Sequence, residues 1–462
     1  MKRVFIFLLI TLQPIFSQNI VTDTIVHEVE RKETLFSISQ KYKININDVL
    51  ELNPQLRNSR LKRKSKILIP VIESIQEKTL VEKDSLPKEE DLLRLDSIFV
   101  KKRKRDNQLN LSVLLPFRSN TVNYDSIEEV ESLFEDRNLY TITLDFYSGI
   151  LYAIEDLREL NVSINLNVFD TENSINKINE ISSENTVKDS DLIIGPLIPR
   201  NFETFSNIEL LESIPKVFPL STIPIKIIKG VIQSVTPKKL LRERMINYLD
   251  KNLDREENIV IIADSLNNEI DSKLSEIFPN SIKIKPEFEG YILPELLDSL
   301  LVDSLPNKVI VESEIFTLIS SVVSQLNSQI TSERDVKLYT TYRGNQYDDP
   351  SINIKDLGNL AFTYTSISKK INNDSISKFE SRYLNLFGSL PNKDVIRGYD
   401  VTKDILLRVL IDKNLNRTTK YDEQSYTESK FLYKKDTLGG LFNSSMFILR
   451  HREYDIEEII DQ

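Results

Sequence analysis

The 462-residue sequence contains no cysteine. That excludes a disulfide framework, a thiol nucleophile and a lipidated cysteine behind a leader. Histidine is almost as scarce, occurring only as His27 and His451. A histidine-rich metal site is therefore excluded, and a histidine-based triad would have to use one of these two. Both stand near domain ends and read as surface or strand residues. Glycine numbers 10, and alanine occurs only at Ala153, Ala263 and Ala361. Ile, Lys and Asn are abundant instead, a bias that fits AT-rich coding and says little about function. A basic balance is also missing: the formal net charge of −10 argues against general nucleic-acid binding. There is no Gly-x-Ser-x-Gly elbow, and no cofactor is implied.

What is present is ordinary globular composition, 40% hydrophobic and 28% charged, over a length that suggests two or three domains. The first residues, "MKRVFIFLLITLQPIFSQNI", place Lys2 and Arg3 before an apolar run from Val4 to Leu12, broken by Pro14. This reads as a secretory signal over residues 1–17, cleaved after Ser17. The run is well short of the roughly 20 residues that span a bilayer. The mature chain is expected in the periplasm or cell envelope, with no transmembrane anchor after cleavage.

Three zones follow. Residues 27–70 have the rhythm of a compact module. Residues 71–108 are polar and charged and read as a linker, partly helical around "EEDLLRLDSIF", with a basic cluster at Lys101–Arg105 that reads as a solvated charge run. Residues 109–452 alternate apolar strands with amphipathic helices. Near-continuous runs such as "LNLSVLLPF" (109–117), "DLIIGP" (191–196), "NIVIIAD" (258–264) and "NKVIVES" (307–313) suit a buried parallel sheet. In "LDFYSGILYAIEDLREL", Phe146, Ile150, Ala153, Ile154, Leu157 and Leu160 share one helical face. The fold class expected is α/β: a small βααβ module plus a domain of two doubly wound lobes.

In the module, Leu35, Ile38 and Tyr42 are spaced as one helical face behind Thr34, a candidate cap. Ile46, Val49 and Leu50 form a second, ended by Pro54, while "HEVER" and "KILIP" read as short strands. This order, with Glu33-Thr34-Leu35, Ile38, Tyr42, Asn53-Pro54, Leu61 and Ile67-Leu68-Ile69-Pro70, resembles the LysM domain, a small fold that recognises N-acetylglucosamine-containing glycans such as peptidoglycan. The resemblance implies a glycan groove between Glu33, Thr34, Leu35 and Phe36 on one side and Asn53, Pro54, Gln55 and Leu56 on the other. Leu35 and Pro54 equally suit core packing and helix termination. The family's turn Gly-Asp is replaced by Lys32-Glu33, which bears on the strength of glycan binding. Residues 27–70 carry ten Lys/Arg against five Asp/Glu, a basic balance suited to an anionic wall polymer.

Farther on, "LSVLLPF", "GILYAIEDLRELNVSINLNVFDTEN", "DLIIGPLIPRN", "IPKVFPLST" and the segment leading to Gly398-Tyr399-Asp400 together resemble the type 1 periplasmic-binding-protein fold of branched-chain amino-acid receptors. The resemblance implies lobe one at about 109–236 and 365–412 and lobe two at about 237–364 and 413–452. It implies three hinge crossings and a small-ligand cleft using Phe117, Tyr147, Ser221, Thr222 and Tyr364. Pro199-Arg200-Asn201 departs from the small hydroxyl residues common there. "IIGPLIPRN" is also similar to lipoprotein activators of penicillin-binding proteins, though the lipidated cysteine is missing.

The function expected is an exported, non-enzymatic envelope protein. Its module binds peptidoglycan, and its large domain binds an amino-acid-like small ligand or an envelope protein partner. The alternatives are the binding component of an amino-acid or peptide ABC uptake system, or a regulator of wall synthesis with a ligand-free cleft. A glycosidase would need two carboxylates facing one cleft, a pair that 70 Asp and Glu residues neither identify nor exclude.

Overall fold

A computed structural model describes residues 23–29, 38, 41, 42, 49, 52, 53, 56, 64–71, 94–102, 108–286, 290–370 and 376–460. The signal at 1–17 and most of the expected linker lie outside them. The chain divides into two units, Met1–Glu89 and Glu90–Gln462.

In the first unit β1 (Asp23–Glu28) pairs antiparallel with β2 (Lys66–Val71), setting Ile25 opposite Ile69 and His27 opposite Ile67. The first strand thus begins earlier than "HEVER" suggested. Val29, Ile38, Val49, Ile67 and Ile69 make the core, with Tyr42 and Leu56 packed against it.

The second unit begins with helix α1 (Leu95–Lys102), inside the stretch expected to be linker. Leu95, Ile98 and Phe99 are buried in the core of the large domain, and the Leu95 N–H donates to Gln424 Oε1 at 2.9 Å. Three apolar side chains on one helical face override a polar composition. The chain then runs β3 (Gln108–Leu115), α2 (Leu139–Glu159), β4 (Ser163–Asp170), α3 (Ile175–Ser182), β5 (Leu192–Ile194), α4 (Pro199–Ser206), β6 (Lys216–Phe218) and β7 (Val231–Gln233). It crosses to the second lobe through α5 (Lys238–Asn252), β8 (Asn258–Ala263), β9 (Ile282–Ile284), β10 (Asn307–Glu312), α6 (Phe316–Ser328), β11 (Val336–Tyr339) and β12 (Thr363–Ser366). A second crossing returns it to α7 (Lys378–Phe387), α8 (Lys393–Ile411), the small pair β13 (Gln424–Ser425) and β14 (Lys430–Phe431), then β15 (Tyr433–Lys435) and β16 (Leu441–Asn443). A third leads to β17 (Phe447–Arg452) and β18 (Asp455–Glu458).

The two lobes are built on seven-stranded sheets of matching order, β4-β3-β5-β6-β7-β16-β15 and β9-β8-β10-β11-β12-β17-β18. The first five strands of each run parallel; β15, β17 and β18 run antiparallel to their neighbours. In lobe two, Val260, Ile262, Val309 and Val311 feed the core on one face, while Ile259, Ile261 and Ile310 feed the core on the other. Burial on both faces is why these strands read as continuous apolar runs. The expected division differs at one place. Residues 413–452 were assigned to lobe two, but β15 and β16 extend the sheet of lobe one. Three-residue strands such as "YKK" and "LFN" carry no usable periodicity. β7 and β9, of three residues each, and β11, of four, were likewise too short to be found.

In lobe one, Asn138 caps α2, its side chain accepting from the Tyr140 and Thr141 N–H groups. Phe146, Ile150, Ala153 and Leu157 are wholly buried, as their spacing predicts. The partner is α8, met at backbone distance: a Cβ on Gly149 would stand 2.1 Å from the Val395 carbonyl oxygen, and one on Gly398 would stand 2.2 Å from that of Phe146. Glycine in a helix interior is unfavourable in itself, so here close helix packing offsets its cost. The first and third crossings are tied together, since Asn443 Nδ2 donates to the Ser234 carbonyl at 3.1 Å and Thr236 Oγ1 donates to that of Ser445.

Candidate functional site

Within the module, Asn53 and Leu56 can be placed; Glu33, Thr34, Leu35, Phe36, Pro54 and Gln55 lie outside the described residues. The Asn53 side chain is turned inward. Its Nδ2 donates to the Val49 and Leu68 carbonyls, each at 2.7 Å, and its Oδ1 accepts from the Leu68 N–H at 2.9 Å. It fastens the second helical segment to β2, so its side-chain amide is already occupied. Leu56 packs against the module core. His27 is buried in β1, its Nδ1 2.9 Å from the Tyr42 hydroxyl, so of the two expected placements, surface or strand, it takes the strand.

In parallel α/β sheets ligands gather at the carboxyl ends of the strands. In lobe one, Asp170 ends β4 and organises the loop after β3. Its carboxylate accepts from the N–H groups of Arg118, Ser119 and Glu172 and from Ser119 Oγ, at 2.8–2.9 Å. Burial pushes its pKa up, but these bonds outweigh burial and hold the carboxyl below its ordinary range. Beside it an open depression of about 410 Å³ lies where α3 and α4 begin, lined by Asn173, Ser174, Asn176, Arg200 and Asn201 among others. Asn201 Nδ2 donates to Asn173 Oδ1 at 2.9 Å.

The five residues expected to line a small-ligand cleft make different contacts. Phe117 and Tyr147 meet edge to face, ring centroids 5.4 Å apart, half-buried on the core of lobe one. Ser221 Oγ accepts from the Ile223 N–H at 3.1 Å within its own turn. Thr222 Oγ1 lies 3.1 Å from the Tyr342 hydroxyl of lobe two, and the Thr222 carbonyl accepts from the Lys238 N–H at 3.0 Å. Lys238 Nζ lies 4.3 Å from the centre of the Tyr342 ring and pairs with Glu314. Tyr364 is a correction: it is buried in the core of lobe two, its hydroxyl 3.4 Å from His451 Nε2 and its ring 5.1 Å from the Arg343 guanidinium. β12, "TYTS", pairs with β17, which sets Tyr364 beside Leu449 in that core. His451 is likewise interior, and burial, with Arg343 nearby, lowers its pKa to about 4.

A buried polar network at the rim of lobe two was not found from sequence. At the carboxyl ends of β8, β10 and β11, Arg242 NH1 donates to Glu312 Oε2 at 2.8 Å and to Thr341 Oγ1 at 3.2 Å. Arg242 NH2 donates to Asn267 Oδ1, Asn267 Nδ2 to Asp264 Oδ1, and Ser313 Oγ to Asp264 Oδ2, at 2.6–2.9 Å. The Thr341 N–H and hydroxyl also donate to Glu312. Burial pushes the Glu312 carboxyl above its ordinary range, with Arg242 and the Thr341 bonds pulling the other way. A charge closing the apolar run "NKVIVE" was the available signal. Its partner stands 70 positions away, beyond the reach of any local pattern.

Among the described residues no group of three His, Cys, Asp or Glu side chains could hold a metal ion, and no helix is long and apolar enough to cross a membrane. Residues 27–70 match the family model described as LysM domain. In three dimensions the chain is similar to a candidate branched-chain amino acid ABC transporter from Rhodospirillum rubrum: TM-score 0.52 and 12% identity, over 76% of this chain and 100% of that one. Full-length LpoA from Haemophilus influenzae aligns with TM-score 0.49 and 11% identity over 77% of this chain and 60% of its own. The leucine binding protein LivK from Thermotoga maritima aligns with TM-score 0.41 and 15% identity over 76% and 98%. The first likeness identifies the two-lobed periplasmic-binding-protein fold, and no ligand follows from it. No curated protein matches the chain.

Proposed function

We propose that this is an exported, non-enzymatic protein of the cell envelope. Residues 27–70 hold the N-acetylglucosamine-containing glycan of peptidoglycan, and the two-lobed domain engages an envelope protein. The LysM match supports the first half. With the Asn53 amide occupied, glycan contacts fall to backbone groups and the other residues of the two loops, Glu33 to Phe36 and Pro54 to Leu56. The observation that carries the second half is the self-bonded rim of lobe two. Arg242, Glu312 and Thr341 bond to one another, Asn267 joins Arg242 to the Asp264–Ser313 pair, and Thr222 lies within hydrogen-bond distance of Tyr342 across the lobes. A transported amino acid needs free donors and acceptors at these positions.

Sedimentation with purified peptidoglycan tests the anchor: the full chain is retained, and a chain lacking residues 27–70 is not. Thermal unfolding with leucine, isoleucine and wall peptides tests the cleft. A ligand that binds only the folded state adds about 2.7 kcal/mol at one hundred times its dissociation constant. No shift is expected in protein freed of co-purified ligand.

A second reading, capture of a small amino-acid-like ligand, has one observation in its favour. The depression of lobe one presents Arg200 beside Asn173, Ser174 and Asn201, beyond the carboxyl ends of β4 and β5. A thermal shift abolished by Arg200→Ala would establish it in place of the first.

A further inference from the structure

A second open groove, of about 590 Å³, lies on lobe one toward the amino-terminal ends of β3 and β4, away from the interlobe rim. Its polar lining is Asn110, Asn165, Asn167, Thr186 and Asp189. Asparagine is depleted in strands, yet three sit here on two adjacent strands. Asn110 and Asn165 are opposite in register, and Asn167 follows on the same face. The sheet needs only part of this. Asn165 Nδ2 donates to Asn110 Oδ1 at 3.0 Å, and Asn110 Nδ2 donates to the Asp189 carbonyl at 3.3 Å. Among the described residues the Asn167 side chain, the Thr186 hydroxyl and the Asp189 carboxylate have no hydrogen-bond partner.

The floor is fixed from below. Ser112 Oγ lies 2.7 Å from Ser190 Oγ, which donates to the Thr186 carbonyl at 3.0 Å. Asp191 accepts from the Asn110 N–H at 3.0 Å and is held by Lys413 at 2.8 Å. The groove is therefore a row of oriented amides with one carboxylate and one hydroxyl. No Lys or Arg lines it, and Asp189 repels anions. It is open and has no aromatic lining, so it does not suit a compact apolar ligand. A carboxamide offers a donor and an acceptor side by side, matching adjacent hydroxyls or an acetamido group.

We propose that this groove binds a saccharide chain through Asn165, Asn167, Thr186 and Asp189. The site is separate from the LysM module and from the interlobe rim.

The test is hydrogen–deuterium exchange of the full chain with tri-N-acetylchitotriose, because exchange reports on this groove and on residues 27–70 separately. Peptides covering 163–170 and 185–190 should exchange about tenfold more slowly at ten times the dissociation constant. In the Asn165→Ala/Asn167→Ala variant that protection should vanish, while the response of residues 27–70 stays as in the parent. Unchanged exchange over 163–190 at about 10 mM triose, a concentration that would reveal even millimolar affinity, overturns the proposal. So does equal protection in the variant. Protection by pentaglycine without protection by the triose also overturns it, in favour of peptide addition along the free edge of β4.

Discussion

β10 of lobe two stands where β5 stands in lobe one, and β11 where β6 does. β10 ends on Glu312, and after β10 and β11 come Ser313, Thr340, Thr341 and Tyr342; Glu312 and Thr341 bond to Arg242, Ser313 to Asp264, Thr340 to the Tyr342 carbonyl, and Tyr342 meets Thr222 across the hinge. After β5 and β6 come Arg200, Asn201, Ser221 and Thr222. There Asn201 reaches only Asn173, and no partner of the Arg200 guanidinium is found among the described residues. One topology thus ends in a closed polar network in one lobe and an open rim in the other. Strand order dictates where polar groups may gather, and side chains decide whether they face each other or solvent.

The largest expected effect follows from the closed side. Arg242→Met leaves Glu312 buried and uncompensated and should cost about 3–5 kcal/mol in urea unfolding, whereas Arg242→Met/Glu312→Met should recover most of it. Equal losses in both would mean that the pair is not an ion pair in solution.

Acid gives the next effect, through His451 in lobe two. Its folded pKa of about 4 lies below the unfolded value of 6.5. Its contribution is therefore complete above pH 6.5 and is lost as pH falls toward 4, where the unfolded chain binds a proton that the folded chain does not. The loss is at most about 3 kcal/mol. His451→Gln should flatten that part of the pH profile; an unchanged slope would assign the acid sensitivity elsewhere.

Between the lobes, Tyr342→Phe removes one hydroxyl contact with Thr222 and should cost about 0.5–1.5 kcal/mol. A larger radius of gyration in solution scattering would show that this contact also sets the angle between the lobes. On the open side Arg200→Ala should change stability by less than about 0.5 kcal/mol. A loss above 1 kcal/mol, on the scale of a made hydrogen bond, would erase the contrast between the rims.

Much of this architecture was legible. The runs at 109–117, 258–264 and 307–313 became inner strands, and Phe146, Ile150, Ala153 and Leu157 became the buried face of α2. Signals failed where elements were short, as at β7, β9, β11, β15 and β16; at α1 a helix was expected, but not its packing into the core of the large domain. The candidate sites were less legible. The resemblance placed Tyr364 at a cleft; its side chain instead packs into the core of lobe two. Asn53 stood where a glycan contact was expected, and its amide turns out to pin two elements of the module.

The sequence by itself determined the layers, the alternation of strand and helix, and the two strands that bracket the module. Those properties rest on the spacing of apolar residues within a dozen positions, which the backbone reads locally. Tertiary structure alone decided that Arg242 meets Glu312, that Gly149 and Gly398 let two helices touch, that residues 433–443 return to the first sheet, and that Asn110, Asn165 and Asn167 share a groove with Asp189. Each of these joins segments distant in the chain, and only the folded sheet and its crossings bring them within hydrogen-bond or van der Waals reach.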